Sequence, residues 1–380
     1  MSKKPVVLID SFHLIQSLTG IRTYTTQLLT GLEELEQTEI KYIVYPNWRC
    51  MNHTEFLRGK VNPLKKILNH ILYFLWKQCC LPIIILFKRV DVVVSLDYLL
   101  PCFKFRAKSI TVVHDTFYWE LKGKYNPVWR SYFLKSVKLG LDSKSEIIVT
   151  TDYIADKVKR WVTDEHKTFV VYQAPKDLYS EKDWTITLRK IGLPDGAKYF
   201  LHIGIFEERK NLEILVRAFH EYLRNKASED FFLVLAGGKG VGIFHDNFSK
   251  ITQLIKELGL EDRVLLPGFV PDDQLKALYE NAFAYIFPSK EEGFGIPVIE
   301  AMKSGTPVII SNQPALMEVA GGAALIFDMD RYDSLLDRMN ELMDEELRLN
   351  LIEKGKLNAR KFGRRSFAEQ FHRVVWQRTR

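Results

Sequence analysis

The sequence predicts an α/β protein built from two doubly wound domains, each a parallel sheet covered by helices on both faces. Three observations carry this. The chain has 380 residues, about two to three times the size of a typical domain. Hydrophobic residues make up 47% and charged residues 27%, a balance that builds cores and excludes a disordered or fibrous chain. Short β-branched runs alternate with amphipathic stretches from end to end, in two blocks of similar rhythm.

In the first block the spacing predicts strands at 6–10, 40–45, 90–94, 109–113, 146–150 and 168–172, with helical patterns at 21–35 and 128–139 among them. In the second it predicts strands at 199–204, 231–236, 264–266, 284–287, 307–310 and 324–327. The boundary falls within 174–197, which holds Pro175, Pro194 and the turn-like Pro194-Asp-Gly-Ala197. Expected domains are 1–178, 179–362 and a terminal helix, 363–380, with apolar Phe367, Phe371, Val374 and Val375 on one side. Two such domains facing each other leave a cleft, the default place for a ligand. The fold alone does not name it.

Charge and cysteine usage narrow the partners. Residues 1–180 carry 26 Lys+Arg against 17 Asp+Glu, leaving 28 against 30 for the rest, so all the excess behind the net charge of +7 lies in the first half. No recognition-helix, zinc-finger or RNA-binding signature accompanies it, and no nucleic acid is expected. Basic residues flank apolar ones at Lys65-Lys66-Ile67-Leu68 and again at residues 83–89. Peripheral contact of the basic N-terminal domain with anionic lipid and a solvated basic face both remain open. Stretch 67–87, the most apolar, is interrupted by Lys77 and Pro82, and no membrane-spanning helix is expected. Nor is a secretory signal, because Met1-Ser-Lys-Lys leads directly into the first strand. The four cysteines show no C-x-x-C spacing and read as buried or idle thiols.

Four segments carry chemistry. In Pro288-Ser-Lys-Glu-Glu292-Gly-Phe-Gly-Ile-Pro297-Val-Ile-Glu300, a strand gives way to a loop with Gly293 and Gly295. A helix then opens with Pro297 in its first turn, and its free N–H groups near Ile296 and Val298 form an anion site. Glu292 and Glu300 flank that start and suit either sugar hydroxyls or a solvated face. In Gly204-Ile-Phe-Glu-Glu-Arg209-Lys210-Asn211, a loop delivers adjacent cations to a helix start, placed to neutralise a diphosphate. His114, with Asp115, stands at the carboxyl end of a strand. Gly20 opens a helix after the first strand, and residues 237–242 read as a flexible loop near bound nucleotide. Asp328-Met-Asp330 has the form of a metal-binding pair, but its place before a helix favours capping, and no metal is expected.

Together these segments resemble the family 4 glycosyltransferases, retaining enzymes of the GT-B architecture. The likeness runs along nearly the whole chain. It is densest at Pro267-Gly268-Phe269-Val270-Pro271, at Glu292 to Glu300 with seven residues between the two acids, and from Gly305 to Gly321. The resemblance implies that Glu300 holds ribose hydroxyls and that Glu292 meets the transferred sugar. Backbone amides of Gly293, Phe294, Gly295, Ile296 and Val298 would lie near sugar and phosphate. Arg209 and Lys210 would bind the diphosphate, His114 would lie beside donor sugar and acceptor, and Gly20, Gly204 and Gly237 would approach the nucleotide. Phe269 or Val270 would meet the base through backbone atoms. Asp115, Tyr118 and Trp119 are candidates for acceptor contact.

One departure stands out: where many members have arginine directly after the strand's glycine, this chain has Ile205, and arginine appears at Arg209. The Arg-Lys-Asn form is similar to mannosyltransferase-like members that build bacterial surface polysaccharides. The resemblance thus implies a hexosyltransferase using a GDP- or UDP-sugar and a saccharide or lipid-linked acceptor, in polysaccharide or lipopolysaccharide synthesis. It would need no cofactor or metal and would be cytoplasmic, peripheral on the inner face of the membrane. A sugar-nucleotide epimerase on the same fold and a non-catalytic binding module are the alternatives.

Overall fold

Continuous apolar runs such as Val6-Val-Leu-Ile9 leave a strand no polar face, so it must be buried on both sides. In the computed structural model every residue of that strand is buried. The structure describes residues 4–17, 20–35, 39–53, 63–103, 105–121, 123, 125–141, 145–162, 167–179, 184–225, 230–239 and 247–380. The chain divides into one unit of Met1–Ala174 with Gly363–Arg380 and a second of Pro175–Phe362. The break thus lies at Ala174/Pro175 rather than at 178/179.

The first unit holds β1 (Val6–Asp10), β2 (Lys41–Tyr45), β3 (Val92–Ser95), β4 (Lys108–Val113), β5 (Ser145–Val149) and β6 (Thr168–Val170). They form one parallel sheet in the order β2-β1-β3-β4-β5-β6. The second holds β7 (Lys198–Ile203), β8 (Phe231–Ala236), β9 (Val264–Gly268), β10 (Ala284–Phe287), β11 (Val308–Ser311) and β12 (Leu325–Phe327). Its parallel order is β12-β11-β10-β7-β8-β9. Winding reverses between β1 and β3 in one sheet and between β7 and β10 in the other. Loops at the carboxyl ends of such a pair diverge and open a crevice.

Helix α1 (Gly20–Glu34) buries Tyr24, Leu28 and Leu32, one residue per turn. The last helix of the chain, Arg364–Thr379, lies on it. Phe367, Phe371 and Val375 join the same core, Phe367 meets Tyr24 edge-on at 4.9 Å, and Arg364 pairs with Glu34 at 2.7 Å. The second core is formed by β7, β8 and β10 against helix Leu212–Asn225, whose Leu212, Leu215, Val216 and Phe219 are buried.

Stretch 67–87 departs from expectation. Helix α2 (Pro63–Leu75) runs into a π-turn, Trp76–Cys80, and then into α3 (Leu81–Phe87), without a break. The wide turn before Pro82 relieves the clash that its ring would make with the carbonyl four residues earlier. By length and composition the resulting Ile67–Phe87 helix is apolar enough to cross a membrane. Its Lys77, however, is fully buried against Asp10 and Asp97 of its own unit. Of the cysteines, Cys50, Cys79 and Cys80 are exposed and Cys102 is half-buried, all as free thiols.

Candidate functional site

Strands β7 and β10 are neighbours, and the loops that leave them carry the two main motifs. After β7 the chain passes Gly204 and reaches Arg209 and Lys210 in a single 3-10 turn, Glu208–Lys210. After β10 it passes Ser289 and Glu292 into helix α4 (Ile296–Lys303), with Gly295 as N-cap and proline in the first turn. The loops are tied together at the backbone, Lys290 N donating to Arg209 O at 2.8 Å.

Glu292 is where they converge. Its Oε1 lies 2.5 Å from Lys210 Nζ, 2.8 Å from Arg209 Nη1 and 2.8 Å from the donating Ser289 Oγ. Gln313 Nε2 donates to the Glu292 carbonyl at 3.1 Å and fixes the loop from the other side. Burial alone would raise the Glu292 carboxyl, but the Lys210 and Arg209 charges outweigh it and hold the group at about 2. Burial draws Lys210 below the usual ammonium range, and Glu292 opposes that pull. The arrangement is a preformed cluster that orients two basic side chains around an ionised carboxylate.

Arg209 is more engaged than its expected diphosphate role requires. Its Nε also pairs with Glu207 at 2.8 Å, and Nη1 donates to Glu291 O at 3.0 Å. Glu300, on α4, is buried and accepts from Tyr279 Oη at 3.1 Å. Burial raises its carboxyl, and the Lys176 charge and the Tyr279 hydrogen bond only partly offset this.

Gly237, just past β8, has φ +147°, and a Cβ there would stand 1.8 Å from the Gly204 carbonyl oxygen. Only glycine lets the two strand ends meet so closely. Gly293 and Gly295 keep the loop bare before α4. Phe294 turns inward, edge-on to Phe362 at 5.7 Å, so it contributes to that loop through its backbone. Ile296 and Val298 lie in the first turn of α4, with Val298 N donating back to Gly295 O at 3.0 Å. At the end of β9, Phe269 is exposed and Val270 is buried. Residues 240–246 of the glycine-rich loop lie outside the described residues.

In the first unit, His114 follows β4 and is buried. Its Nε2 is 2.8 Å from Leu96 O, and because a carbonyl only accepts, Nε2 carries the proton. Burial pushes the imidazole down to about 4, more than the Leu96 carbonyl raises it. Asp115 accepts from Phe117 N at 3.1 Å, a local turn contact. Gly20 is the exposed first residue of α1, and residues 18–19 before it lie outside the described residues.

Trp119 is buried against Phe133, and Tyr118, half-buried, is stacked on Tyr125 at 4.3 Å and Phe133 at 3.9 Å. The capping role of Asp328 and Asp330 is corrected. Arg331 is the N-cap of helix Tyr332–Glu341, while Asp328 Oδ1 accepts from Asp330 N and Asp330 pairs with Lys290 at 3.0 Å. Among the described residues no group of three or more His, Cys, Asp or Glu is placed to hold a metal ion.

Sequence reasoning gave no role to Ser289, Gln313, Tyr279, Glu207 or His202. His202 lies in β7 near Lys210, its Nδ1 3.0 Å from Ile286 O, and burial pushes it down to about 4. Ser289, Gln313 and Tyr279 stand in or beside the motifs, and only their contacts show what they do.

Two Rossmann-like units, with a cation pair, a carboxylate and a helix start at the reversal point of the second, define a class of two-domain α/β protein with an anion site at a topological switch point. Residues 185–358 match the family described as glycosyl transferases group 1. The O-antigen chain mannosyltransferase RfbU of Salmonella typhimurium is 26% identical over 367 residues, covering 90% of this chain and 94% of the relative. O-antigen chain mannosyltransferase B of Escherichia coli is 30% identical over 261 residues, 67% of this chain and 66% of the relative. Among solved structures, sucrose-phosphate synthase from Thermosynechococcus elongatus superposes with a TM-score of 0.73 at 19% identity, over 99% of both chains, and so shares the fold. The chain belongs to the group 1 glycosyltransferases and has the GT-B fold class.

Proposed function

We propose that this protein transfers a hexose, mannose in preference, from a GDP- or UDP-sugar to a hydroxyl of a saccharide or lipid-linked acceptor, with retention at the anomeric carbon, in surface polysaccharide or lipopolysaccharide synthesis. The observation that carries this reading is the convergence of Lys210 and Arg209 on Glu292 beside the amino end of α4. Cations and free helix N–H groups suit a diphosphate. The neighbouring carboxylate suits sugar hydroxyls, and Glu300 suits the ribose. The preference for mannose rests on the mannosyltransferase relatives.

Lys210 neutralises charge as the bond from the anomeric carbon to the leaving phosphate breaks, and Arg209 holds Glu292 and adds its own charge from behind. The new bond forms from the acceptor oxygen on the same face, and its proton passes to the departing phosphate. No side chain becomes covalently bound to the sugar. His114 of the first unit is neutral near pH 7, with Nε2–H fixed on Leu96. On this reading no metal is required, and transfer in EDTA tests it. The enzyme works in the cytoplasm, peripherally on the inner face of the membrane.

The experiment is transfer from labelled GDP-mannose and UDP-hexoses in EDTA, paired with thermal unfolding in each nucleoside diphosphate. A nucleotide at about 100 times its dissociation constant adds about 2.7 kcal/mol of stability. Lys210→Ala is expected to lower turnover at least about a hundredfold. Near-normal turnover in that variant, or strong inhibition by EDTA, overturns the assignment. Product formed without an acceptor points to an epimerase instead.

A further inference from the structure

The segment α2–π-turn–α3 departs from an ordinary surface helix, whose solvent side is its polar side. The side turned into the first unit carries Tyr73, Leu81 and Ile85 together with Lys77 and Gln78, all buried. The side turned to solvent carries Ile67, Leu68, Ile71 and Leu75 at helical spacing, then Ile83 and Phe87, the last 83% exposed. No other part of the sequence gives so long an apolar run.

The anchor explains how such a helix stays on the surface. Lys77 Nζ lies 2.6 Å from Asp10 Oδ2, 2.6 Å from Asp97 Oδ1 and 2.7 Å from Ser95 Oγ, at the carboxyl ends of β1 and β3. Tyr73 Oη donates to Asp97 at 2.5 Å, and Trp76 Nε1 donates to Asp10 at 2.9 Å. Inserting the helix across a bilayer would strip these partners and place an ammonium in hydrocarbon, which is strongly unfavourable. The helix therefore lies along its unit with the apolar side outward.

Charge identifies what covers it. From residue 56 to residue 90 the sequence has no Asp or Glu and seven Lys or Arg. Of these, Lys65 stands exposed at one end of the apolar stripe and Lys88 and Arg89 at the other. With basic residues at both ends, pairing two copies of this face in either direction brings like charges together. An anionic lipid surface matches both features.

We propose that this face docks flat on an anionic bilayer. Its apolar stripe enters the boundary between headgroups and acyl chains, and Lys65, Lys88 and Arg89 meet lipid phosphates. The proposal names the surface of the peripheral contact given under Proposed function and does not depend on the transfer chemistry.

The test is flotation of the full chain with vesicles of phosphatidylglycerol and phosphatidylethanolamine, against phosphatidylcholine alone, at low and high salt. The chain is expected to float with the anionic vesicles, less with the neutral ones, and less in high salt. The double variant Ile71→Glu/Leu75→Glu should lose about tenfold or more of its bound fraction. Its unfolding temperature should not change, because both side chains are exposed. A polarity-sensitive fluorophore on Cys79 or Cys80, with Cys50 replaced by Ser, should shift to the blue on anionic vesicles. Equal flotation of variant and parent, or no flotation with any vesicle, overturns the proposal. So does a parent dimer that the variant dissolves while flotation is unchanged, which assigns the face to a second copy. A parent that floats but is not stabilised by any nucleoside diphosphate supports the surface and overturns the transfer reading instead.

Discussion

Glu300 and Glu292 are two buried carboxylates in one motif with opposite electrostatics. Glu292 meets two cations and stays ionised down to about pH 2, whereas Glu300 accepts from a hydroxyl, the Lys176 charge only partly offsets its burial, and its carboxyl is raised. A raised carboxyl stabilises the fold while protonated and loses that benefit as pH rises above its ordinary value. Near neutral pH, burying Glu300 therefore works against folding. Glu300→Gln, which keeps an acceptor for Tyr279, is expected to unfold at a higher temperature than the parent at pH 7.5. The same variant should show a smaller stabilisation by nucleoside diphosphate, since ribose hydroxyls lose a charged acceptor. A variant that is no more stable, with nucleotide response intact, excludes this account of Glu300.

At the scale of elements, the site depends on how closely strand ends approach. Gly237→Ala sets a Cβ against the Gly204 carbonyl, at a φ that L residues rarely adopt. Relief requires β7 and β8 to part at their carboxyl ends, which moves the Gly204–Lys210 loop away from Glu292. Loss of about 1–3 kcal/mol in urea unfolding is expected, together with weakened nucleotide binding. Gly238→Ala, whose added Cβ would meet nothing within 4 Å, serves as the control and should change neither. Proximity was not visible in the sequence, where Gly237 and Gly238 look alike.

For the whole molecule, acid sensitivity follows from histidines buried in both units. Burial holds His114 and His202 at about 4, and it lowers His13 as well. In the unfolded chain these imidazoles take up protons below about pH 6.5, while His114 and His202 in the folded chain resist until about pH 4. Stability is therefore fully present above about 6.5 and falls as pH drops through that window, on the order of 1.4 kcal/mol per pH unit for each of these two histidines. Glu292 and Asp97, both held at about 2, lose their support only at lower pH. Urea midpoints measured at pH 7.5 and 5.5 check this, and His202→Gln should reduce the difference between them. Equal midpoints at both pH values overturn it.

Strand positions were legible because a strand buried on both faces must be apolar and β-branched, and each of the twelve runs read from the sequence contains or overlaps a strand. The motif from Glu292 to Glu300 was legible for a related reason: bare glycines and a first-turn proline prescribe a loop and a helix start from local geometry alone. Residues whose work depends on distant partners were not legible. Lys77 reads as an interruption of an apolar run and Pro82 as a helix breaker. Only the neighbouring Asp10 and Asp97, and a π-turn, make one an anchor and the other harmless. Trp119 reads as a candidate for acceptor contact, and only the tertiary structure shows it packed against Phe133. The sequence by itself determined the strand pattern and the chemistry of the donor motifs, because both follow from neighbours along the chain. The tertiary structure decided which charges are paired and which apolar faces are left outward, because burial and Coulomb interactions act through space.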